Sequence, residues 1–253
     1  MAKILLYDIE TSPNIGAFFE LYREGNIVWT ERHWHLLSFA WKWLGGKKTQ
    51  CLALPDFKNY RKDMDNDKEL VDELWALLDE ADIIIAHNGS AFDTKKTTAR
   101  FLVHGLKPPK PYKEIDTKLI AKKFFRFDSN KLDDLGDYLK VGRKMPHIGM
   151  ELWKGCMRGD KKCWAMMKRY NSQDVDLLEK IYLKMRPYIV GHPNLSLLDN
   201  KIVACPNCGS KNVVKNGYAH LQSGRMQRFF CNDCGAWSRR PIPNDESNPR
   251  YLR

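Results

Sequence analysis

The chain has 253 residues and a net charge of +11, a length that allows one large hydrophobic core and a small additional module. No run approaches the roughly 18 apolar residues that a membrane-spanning helix needs. The opening sequence MAKILLYDIE carries charged residues within any would-be export signal, so we expect a cytoplasmic protein with no membrane partner.

The first predicted elements are strands. The segment KILLYDIE is almost continuously apolar, which is typical of a central strand buried on both faces. The aromatic-rich segment HLLSFAWKWLGGKKTQCLAL breaks at Gly45 and Gly46 and predicts a hairpin, so the first three strands should be antiparallel. The segment KELVDELWALLDEA has apolar residues at helical spacing and runs into a predicted strand, DIIIAHN. This alternation predicts an α/β domain.

The chain between that strand and residue 190 is predicted to be mainly helical. The predicted helices cover residues 91–104, 116–125, 131–139 and about 161–188. Pro187 and the Gly-His-Pro sequence at 191–193 end the last helix. We therefore predict a large domain over 1–190, a linker over 191–204, a second module over 205–240 and a basic flexible tail over 241–253.

Two carboxylates lie at the end of the first predicted strand. Side chains two residues apart in a strand point the same way, so Asp8 and Glu10 project together. Repulsion between like charges and burial would raise the pKa of one of them, and a divalent cation removes that penalty. Alone, the pattern Asp-x-Glu is a weak signal, because many edge strands match it by chance.

A third acidic residue, Asp93, follows the predicted strand in the sequence HNGSAFDTKK. An acidic residue in the first turn of a helix often serves only to complement the helix dipole, so two interpretations stay open. The neighbouring Lys95, Lys96 and Arg100 favour phosphate binding, and we predict that they contact nucleic acid.

The segment RYNSQDVDLLEKIY carries the most specific pattern. It places Tyr170 and Asp174 four residues apart, which puts them on one face of a helix with Cβ atoms about 5–6 Å apart. Taken alone, Tyr170 is more simply interpreted as a core or boundary aromatic. Together with the two earlier acidic motifs, the pair indicates an active site.

The order YDIET, HNGSAFD, YNSQD resembles the DEDDy branch of the ribonuclease H-like 3'–5' exonuclease superfamily, whose last motif is Tyr-x-x-x-Asp. A related branch has His five residues before the last Asp, where this chain has Arg169. The similarity covers residues 1–190 and is greatest to stand-alone exonuclease-like proteins of bacteriophages, which implies the cytoplasm of a bacterial host cell. It also implies an α/β fold with a ribonuclease H-like mixed sheet flanked by helices.

The resemblance implies a role for each motif residue. Asp8, Glu10 and Asp174 are expected to hold one divalent ion, and Asp8 with Asp93 a second, while Tyr170 orients the attacking water. Hard oxygen ligands indicate two Mg²⁺ or Mn²⁺ ions. These five residues are the predicted catalytic set.

The expected function is 3'–5' exonucleolytic hydrolysis of nucleic acid by a two-metal-ion mechanism. DNA is expected rather than RNA, as single strands or 3' ends, with a separate polymerase or replication protein as a further partner. Two alternatives stay open: a structure-specific endonuclease on the same fold, and a non-catalytic nucleic-acid-binding replication accessory protein.

The second module carries four of the seven cysteines as two Cys-x-x-Cys pairs, Cys205 with Cys208 and Cys231 with Cys234. Four thiolates make a closed tetrahedral zinc site of the structural kind. The alternative, two disulfides, needs an oxidising compartment, for which no export signal is present. We predict one structural Zn²⁺ in a small C-terminal zinc ribbon, which resembles the ribbons of transposases and transcription proteins.

The end of the chain is also its most basic part. From Lys201 onward, nine Lys or Arg residues stand against three Asp or Glu, which places +6 of the total +11 in the last fifth. A basic module interleaved with aromatic residues favours a nucleic-acid backbone with stacked bases as its ligand. The predicted contacts are Lys215, Arg225, Arg228, Arg239 and Arg240.

Overall fold

The structure is a computed structural model that describes residues 2–19, 27–198, 203–222 and 224–242. Part of the predicted linker, 199–202, and the predicted basic tail from 243 onward lie outside the described residues. The chain forms two compact units. Residues Lys3–Ile181 form one, here called the sheet unit, and Tyr182–Arg253 with Met1–Ala2 form the other, here called the C-terminal unit.

Among the described residues up to 185, the chain has seven strands and six α-helices. The strands are β1 (Ile4–Thr11), β2 (Ile15–Ala17), β3 (Trp29–Arg32), β4 (Leu36–Trp43), β5 (Gln50–Ala53), β6 (Ile83–Ala86) and β7 (Lys113–Asp116). The helices are α1 (Lys68–Glu80), α2 (Asp93–Val103), α3 (Thr117–Phe124), α4 (Leu132–Tyr138), α5 (Met150–Met157) and α6 (Lys161–Met185).

A five-stranded mixed sheet of order β5-β4-β1-β6-β7 forms the centre of the sheet unit. Its middle strand, β1, pairs antiparallel with β4 and parallel with β6. The predicted hairpin is β4–β5, which is antiparallel, and β7 pairs parallel with β6. The apolar face of α1 packs in the same core as side chains of β1 and β4. The predicted mixed α/β architecture is therefore confirmed.

In the sheet unit, the small β2–β3 hairpin, strand β7 and helix α5 were not predicted from the sequence. Strand β7 has four residues, of which only Ile115 and Asp116 are buried, so it shows no usable alternation. Helix α5 has eight residues with Gly155 inside it, which lowers its helical propensity.

A buried carboxylate ties the first helix to its neighbours. Asp67, at the start of α1, is fully buried and accepts a hydrogen bond from the Leu36 backbone N–H at 2.7 Å. It also pairs with the Arg100 guanidinium and with His104 Nε2, the latter at 2.6 Å. Asp67 therefore connects α1 with β4 and with the C-terminal end of α2.

We expect Asp67→Ala to lower the free energy of unfolding by ~3–5 kcal/mol, because it leaves the Arg100 guanidinium buried without its partner. The matched control is Asp72→Ala in the same helix, which removes an exposed pair with Lys68 and should change stability by less than ~1 kcal/mol. Urea unfolding of both variants measures the difference. Equal effects of the two substitutions would contradict the anchoring role of Asp67.

The described part of the C-terminal unit contains a short helix, α7 (Leu195–Leu198), and three further strands: β8 (Val213–Leu221), β9 (Gly224–Cys231) and β10 (Trp237–Pro241). The strands form an antiparallel sheet with β9 in the middle. The predicted β-structure between the cysteine pairs corresponds to β8 and β9. Within the described residues of the whole chain, no helix is both long and apolar enough to cross a membrane.

Candidate active site

Asp8 and Glu10 lie on one side of β1 near its carboxyl end, at the alternating positions that a strand dictates. Both side chains are half-buried. The pairing of β1 with β4 shifts register between Glu10 and Thr11, which is a local irregularity of the kind that often re-aims side chains beside active sites. Because β1 is the middle strand, these two carboxylates lie over the centre of the sheet.

Helix α6 brings a third carboxylate to the same place. Asp174 is 1% exposed, and one oxygen from each of Asp8, Glu10 and Asp174 lies within 4.8 Å of the others. Asn171, three residues earlier in α6, donates from Nδ2 to Asp8 Oδ2 at 2.6 Å and accepts from Ser38 Oγ at 3.2 Å. Asn171 thereby fixes α6 against β1 and β4, a role that was not predicted from the sequence.

The turn between β6 and α2 places Asp93. Asn88 has a positive φ of 70°, and Gly89 follows because a Cβ there would lie 2.6 Å from the Ala86 Cβ. The tight turn leads into α2, where the buried Asp93 carboxylate accepts from the Ile9 backbone N–H at 3.2 Å. Asp93 therefore stands beside the strand segment between Asp8 and Glu10, outside the set of three that lies within 4.8 Å.

Crowding of acidic groups changes their protonation. Burial, and then the charge of Asp174, raises the pKa of Glu10 to about 8. Burial raises the pKa of Asp93 to about 7, although its hydrogen bond from Ile9 opposes the shift. The pKa values of Asp8 and Asp174 are also raised, first by burial, and that of Asp8 further by Asp93. The cluster thus binds protons, or another positive charge, more tightly than separate carboxylates would.

Lys144, in the loop before α5, supplies a positive charge to this cluster. Its Nζ lies 2.6 Å from Asp174 Oδ2 and donates to the Tyr170 hydroxyl at 2.9 Å. Burial lowers the pKa of the Lys144 ammonium, but Asp174 and Tyr170 outweigh that effect and hold it above its ordinary value. Lys144 was not predicted from the sequence, since it lies in an irregular segment without periodicity or motif spacing.

Tyr170 lies one helical turn before Asp174 on α6 and is largely buried. The His147 ring centroid is 4.9 Å from that of Tyr170, and the Trp153 ring centroid is 6.2 Å away, both in edge-on arrangements. Burial, and then the charge of Asp174, raises the pKa of Tyr170 to about 12. The hydroxyl therefore keeps its proton at neutral pH and can donate a hydrogen bond.

The donor set is suitable for a divalent cation. Asp174 Oδ1 is buried and has no hydrogen-bond partner among the described residues, so one acceptor of the Asp174 carboxylate is left unsatisfied. Carboxylate oxygens are the ligands that Mg²⁺ and Mn²⁺ prefer. The buried negative charge also needs more compensation than the single ammonium of Lys144 provides.

The three basic residues predicted to contact nucleic acid from α2 lie in different environments. Lys95 is exposed. Lys96 Nζ donates to Thr11 Oγ1 at 3.0 Å and lies 4.0 Å from the ring centroid of Trp34, beside the end of β1. The Arg100 guanidinium is held by buried Asp67, so its position favours a structural role over phosphate contact.

The four predicted zinc ligands come together in the C-terminal unit. The Sγ atoms of Cys205, Cys208, Cys231 and Cys234 all lie within 4.8 Å of one another. The separations Cys205–Cys234 and Cys208–Cys231 are both 3.6 Å, which is far beyond a disulfide bond. Tetrahedral zinc with Zn–S bonds of about 2.3 Å requires sulfur separations of about 3.8 Å. The cluster is therefore compact enough for four thiolates to hold one zinc ion.

Comparison with protein families decides the relationship of the sheet unit. A family model described as RNase_H superfamily matches residues 39–186, which is more than half of the chain. The chain belongs to the RNase H superfamily. The match includes Asp93, Tyr170 and Asp174, while Asp8 and Glu10 precede it. The predicted ribonuclease H-like mixed sheet is thereby confirmed, and membership supports a nuclease that binds nucleic acid and uses divalent metal ions.

A comparison with solved structures found similarity to the family B DNA polymerase from the hyperthermophilic archaeon Pyrobaculum calidifontis. The TM-score is 0.46 and the sequence identity is 16%. The similarity covers 74% of this RNase H superfamily chain and 26% of the polymerase chain. A comparison with curated proteins found no match.

The raised carboxylate pKa values predict an unusual stability profile for the sheet unit. In the metal-free folded protein, Glu10 and Asp93 have pKa values of about 8 and about 7, whereas unfolded carboxylates titrate near ~4. The folded state therefore holds protons that the unfolded state has lost, so the free energy of unfolding should fall as the pH rises from about 4 to about 8. Saturating Mn²⁺ should abolish most of that fall, because the cation replaces the protons.

Urea unfolding at several pH values, with and without added Mn²⁺, measures this profile. Asp174→Asn is the internal comparison, since it removes one charge from the cluster and should flatten the metal-free profile. A metal-free stability that rises across the same pH range would show that the carboxylates are not coupled in this way.

Proposed function

We propose that this chain is a metal-dependent 3'–5' exonuclease of the DEDDy type, similar to stand-alone exonucleases of bacteriophages. The observation that carries the proposal is the convergence of Asp8, Glu10 and Asp174 within 4.8 Å, with Tyr170 one helical turn before Asp174. The proposed direction of digestion, which starts at the 3' end, is supported by the order of the three motifs in the sequence and their resemblance to those of DEDDy exonucleases. The proposed substrate is DNA with an accessible 3' end.

Asp8, Glu10 and Asp174 would hold one Mg²⁺ or Mn²⁺ ion, and Asp93 with Asp8 would support a second. When bound, the ions supply acidity to the attacking water and neutralise charge on the phosphate. Hydrogen bonds within the protein keep two of these carboxylates in place: Asn171 donates to Asp8, and the Ile9 backbone N–H donates to Asp93. Such preorganisation means that little rearrangement is needed when the reaction begins.

Tyr170 is proposed to orient the attacking water by hydrogen bonding. Its raised pKa argues against a tyrosinate acting as the base at neutral pH. Lys144 donates to the Tyr170 oxygen, which leaves the hydroxyl proton available to donate in turn. The rings of His147 and Trp153 limit the movement of the Tyr170 ring.

We propose the following division of labour along the chain. Residues 1–190 carry the chemistry, and residues 205–240 form a zinc ribbon joined to them by the linker 191–204. The four cysteines hold one structural Zn²⁺ and leave no coordination position for a substrate. The ribbon therefore increases residence on nucleic acid and takes no part in bond cleavage.

Digestion of end-labelled and circular substrates tests the proposed reaction. With Mg²⁺ or Mn²⁺, linear DNA labelled at its 3' end should release labelled mononucleotides first, whereas a 5' label should be released last. Covalently closed circles should stay intact. Cleavage of circles would identify an endonuclease, and absence of all cleavage with both ions would leave only a binding role.

Asp174→Asn is expected to lower the rate of digestion by at least about a thousand-fold, because it removes a charged ligand from the three-carboxylate cluster. The matched control is Asp176→Asn in the same helix, which is partly exposed and accepts from Thr49 at 2.5 Å. Rates are measured on a 3'-labelled oligonucleotide at saturating Mn²⁺, with far-ultraviolet circular dichroism confirming that both variants fold. A near-normal rate for Asp174→Asn would refute the site assignment.

Tyr170→Phe is expected to reduce kcat by roughly ten- to a thousand-fold, in line with orienting and acid–base groups, and to leave metal binding almost unchanged. Tyr60→Phe is the matched control, since it also removes one partly buried hydroxyl hydrogen bond, donated by Trp164 Nε1. Single-turnover digestion with a titration of Mn²⁺ separates the two effects. An unaltered kcat would mean that Tyr170 only packs against its neighbours.

A further inference from the structure

The three-stranded sheet of the C-terminal unit presents two faces whose cationic side chains differ in their surroundings. Residues that face each other across neighbouring strands share a face, so the strand register assigns every side chain. The first face, here called the arginine face, includes Val214, Arg228, Phe230, Trp237 and Arg239. The opposite face includes Lys215, Tyr218, Arg225, Phe229 and Arg240.

On the opposite face, arginines lie over aromatic rings of the same sheet. The Arg225 guanidinium lies 4.5 Å from the centroid of Tyr218, and the Arg240 guanidinium lies 5.8 Å from that of Phe229. The charges of this face are thus partly satisfied within the unit.

The arginine face carries two like charges side by side. Arg228 and Arg239 are directly opposite each other in the register of β9 and β10, and both are exposed. Like charges directly opposite on neighbouring strands destabilise a sheet. Among the described residues, neither guanidinium has an acidic partner within ion-pair distance. An anionic ligand would compensate for both.

An aromatic pair lies next to these two arginines. Trp237 lies two residues before Arg239 in β10, on the same face of the sheet. Phe230 lies two residues after Arg228 in β9, also on that face. The two ring centroids are 5.1 Å apart at an interplanar angle of 55°, so Phe230 supports one side of the Trp237 ring. Trp237 nevertheless remains 54% exposed. A large exposed aromatic that is held from one side is suited to stack on a planar ligand.

We infer that the arginine face binds single-stranded nucleic acid, with a base stacked on Trp237 and the backbone phosphates paired with Arg228 and Arg239. The combination selects the ligand: an acidic peptide would satisfy the arginines but not the exposed ring, and a paired duplex would keep its bases out of reach. This inference rests on the proposed function for its choice of a nucleic acid. It goes further by naming one face of the ribbon and an unpaired strand.

The proposed role of the arginine face is tested by fluorescence anisotropy. The full chain is titrated onto a fluorescein-labelled 12-nucleotide single strand at several salt concentrations, without added Mg²⁺ or Mn²⁺. Arg228→Ala with Arg239→Ala should make the slope of log affinity against log salt shallower by about 1.4, because two phosphate contacts are lost at about 0.7 each. Arg225→Ala with Arg240→Ala removes the same charge from the opposite face and should leave most of the slope unchanged. Equal losses from both double variants would overturn the assignment of the face.

Trp237 tests the stacking. Trp237→Ala should weaken binding of the single strand by about 5- to 100-fold, the range that stacking of one base gives. Trp237→Phe should restore much of the affinity. Trp237→Ala should change the affinity for duplex DNA of the same sequence, or for polyglutamate, only slightly. A polyglutamate affinity equal to that of the single strand would mean that the face binds acidic proteins, which would overturn the inference.

Two measurements keep this result separate from that of the proposed function. One zinc ion per chain in every variant shows that the ribbon is folded. Digestion of a 3'-labelled oligonucleotide by the unsubstituted chain with Mn²⁺ tests the exonuclease independently of the face. A chain that binds the single strand through this face but never cuts would refute the exonuclease alone, whereas a cutting chain whose binding ignores Arg228 and Arg239 would refute the face alone.

Discussion

The enforced closeness of acidic side chains over the middle of the sheet is the constraint on which the sheet unit depends. Asp8 lies in the innermost strand and Asp174 in a helix packed against it, so neither carboxylate can move away without disturbing the core. Burial raises the pKa of both. The surrounding polar groups, Lys144 and Asn171 above all, are arranged to counter that repulsion in part. Buried carboxylates that repel one another in this way have a high affinity for positive charge at neutral pH.

The sequence alone predicted the parts of this arrangement that have a period or a fixed spacing. The apolar run of β1 and the i, i+4 spacing of Tyr170 and Asp174 are local features, so they can be interpreted without knowing the fold. Asp116 was also predicted as a helix start, and it caps α3 by accepting from two backbone N–H groups. Lys144 and Asn171 were missed because their roles depend on which distant residues the folded chain places beside them.

The two candidate metal centres differ in the chemistry of their ligands. In the sheet unit, three oxygen ligands from β1 and α6 converge, and Asp174 Oδ1 is left without a partner among the described residues. In the C-terminal unit, four sulfur ligands from two Cys-x-x-Cys turns lie within 4.8 Å of one another. Soft thiolates favour zinc and hard carboxylates favour Mg²⁺ or Mn²⁺, so the chain can discriminate between the ions by ligand chemistry. A zinc ion held by all four thiolates would leave no coordination position for a substrate, whereas a cation held by three carboxylates would keep positions open.

The hydrogen bond between Asn171 and Asp8 joins residues 163 positions apart. During synthesis β1 leaves the ribosome long before α6, because chains emerge from the N-terminus and pair with distant partners late. Until α6 arrives, Asp8 and Glu10 lack both their third acidic neighbour and Tyr170. The candidate site is therefore incomplete until nearly the whole sheet unit has been made.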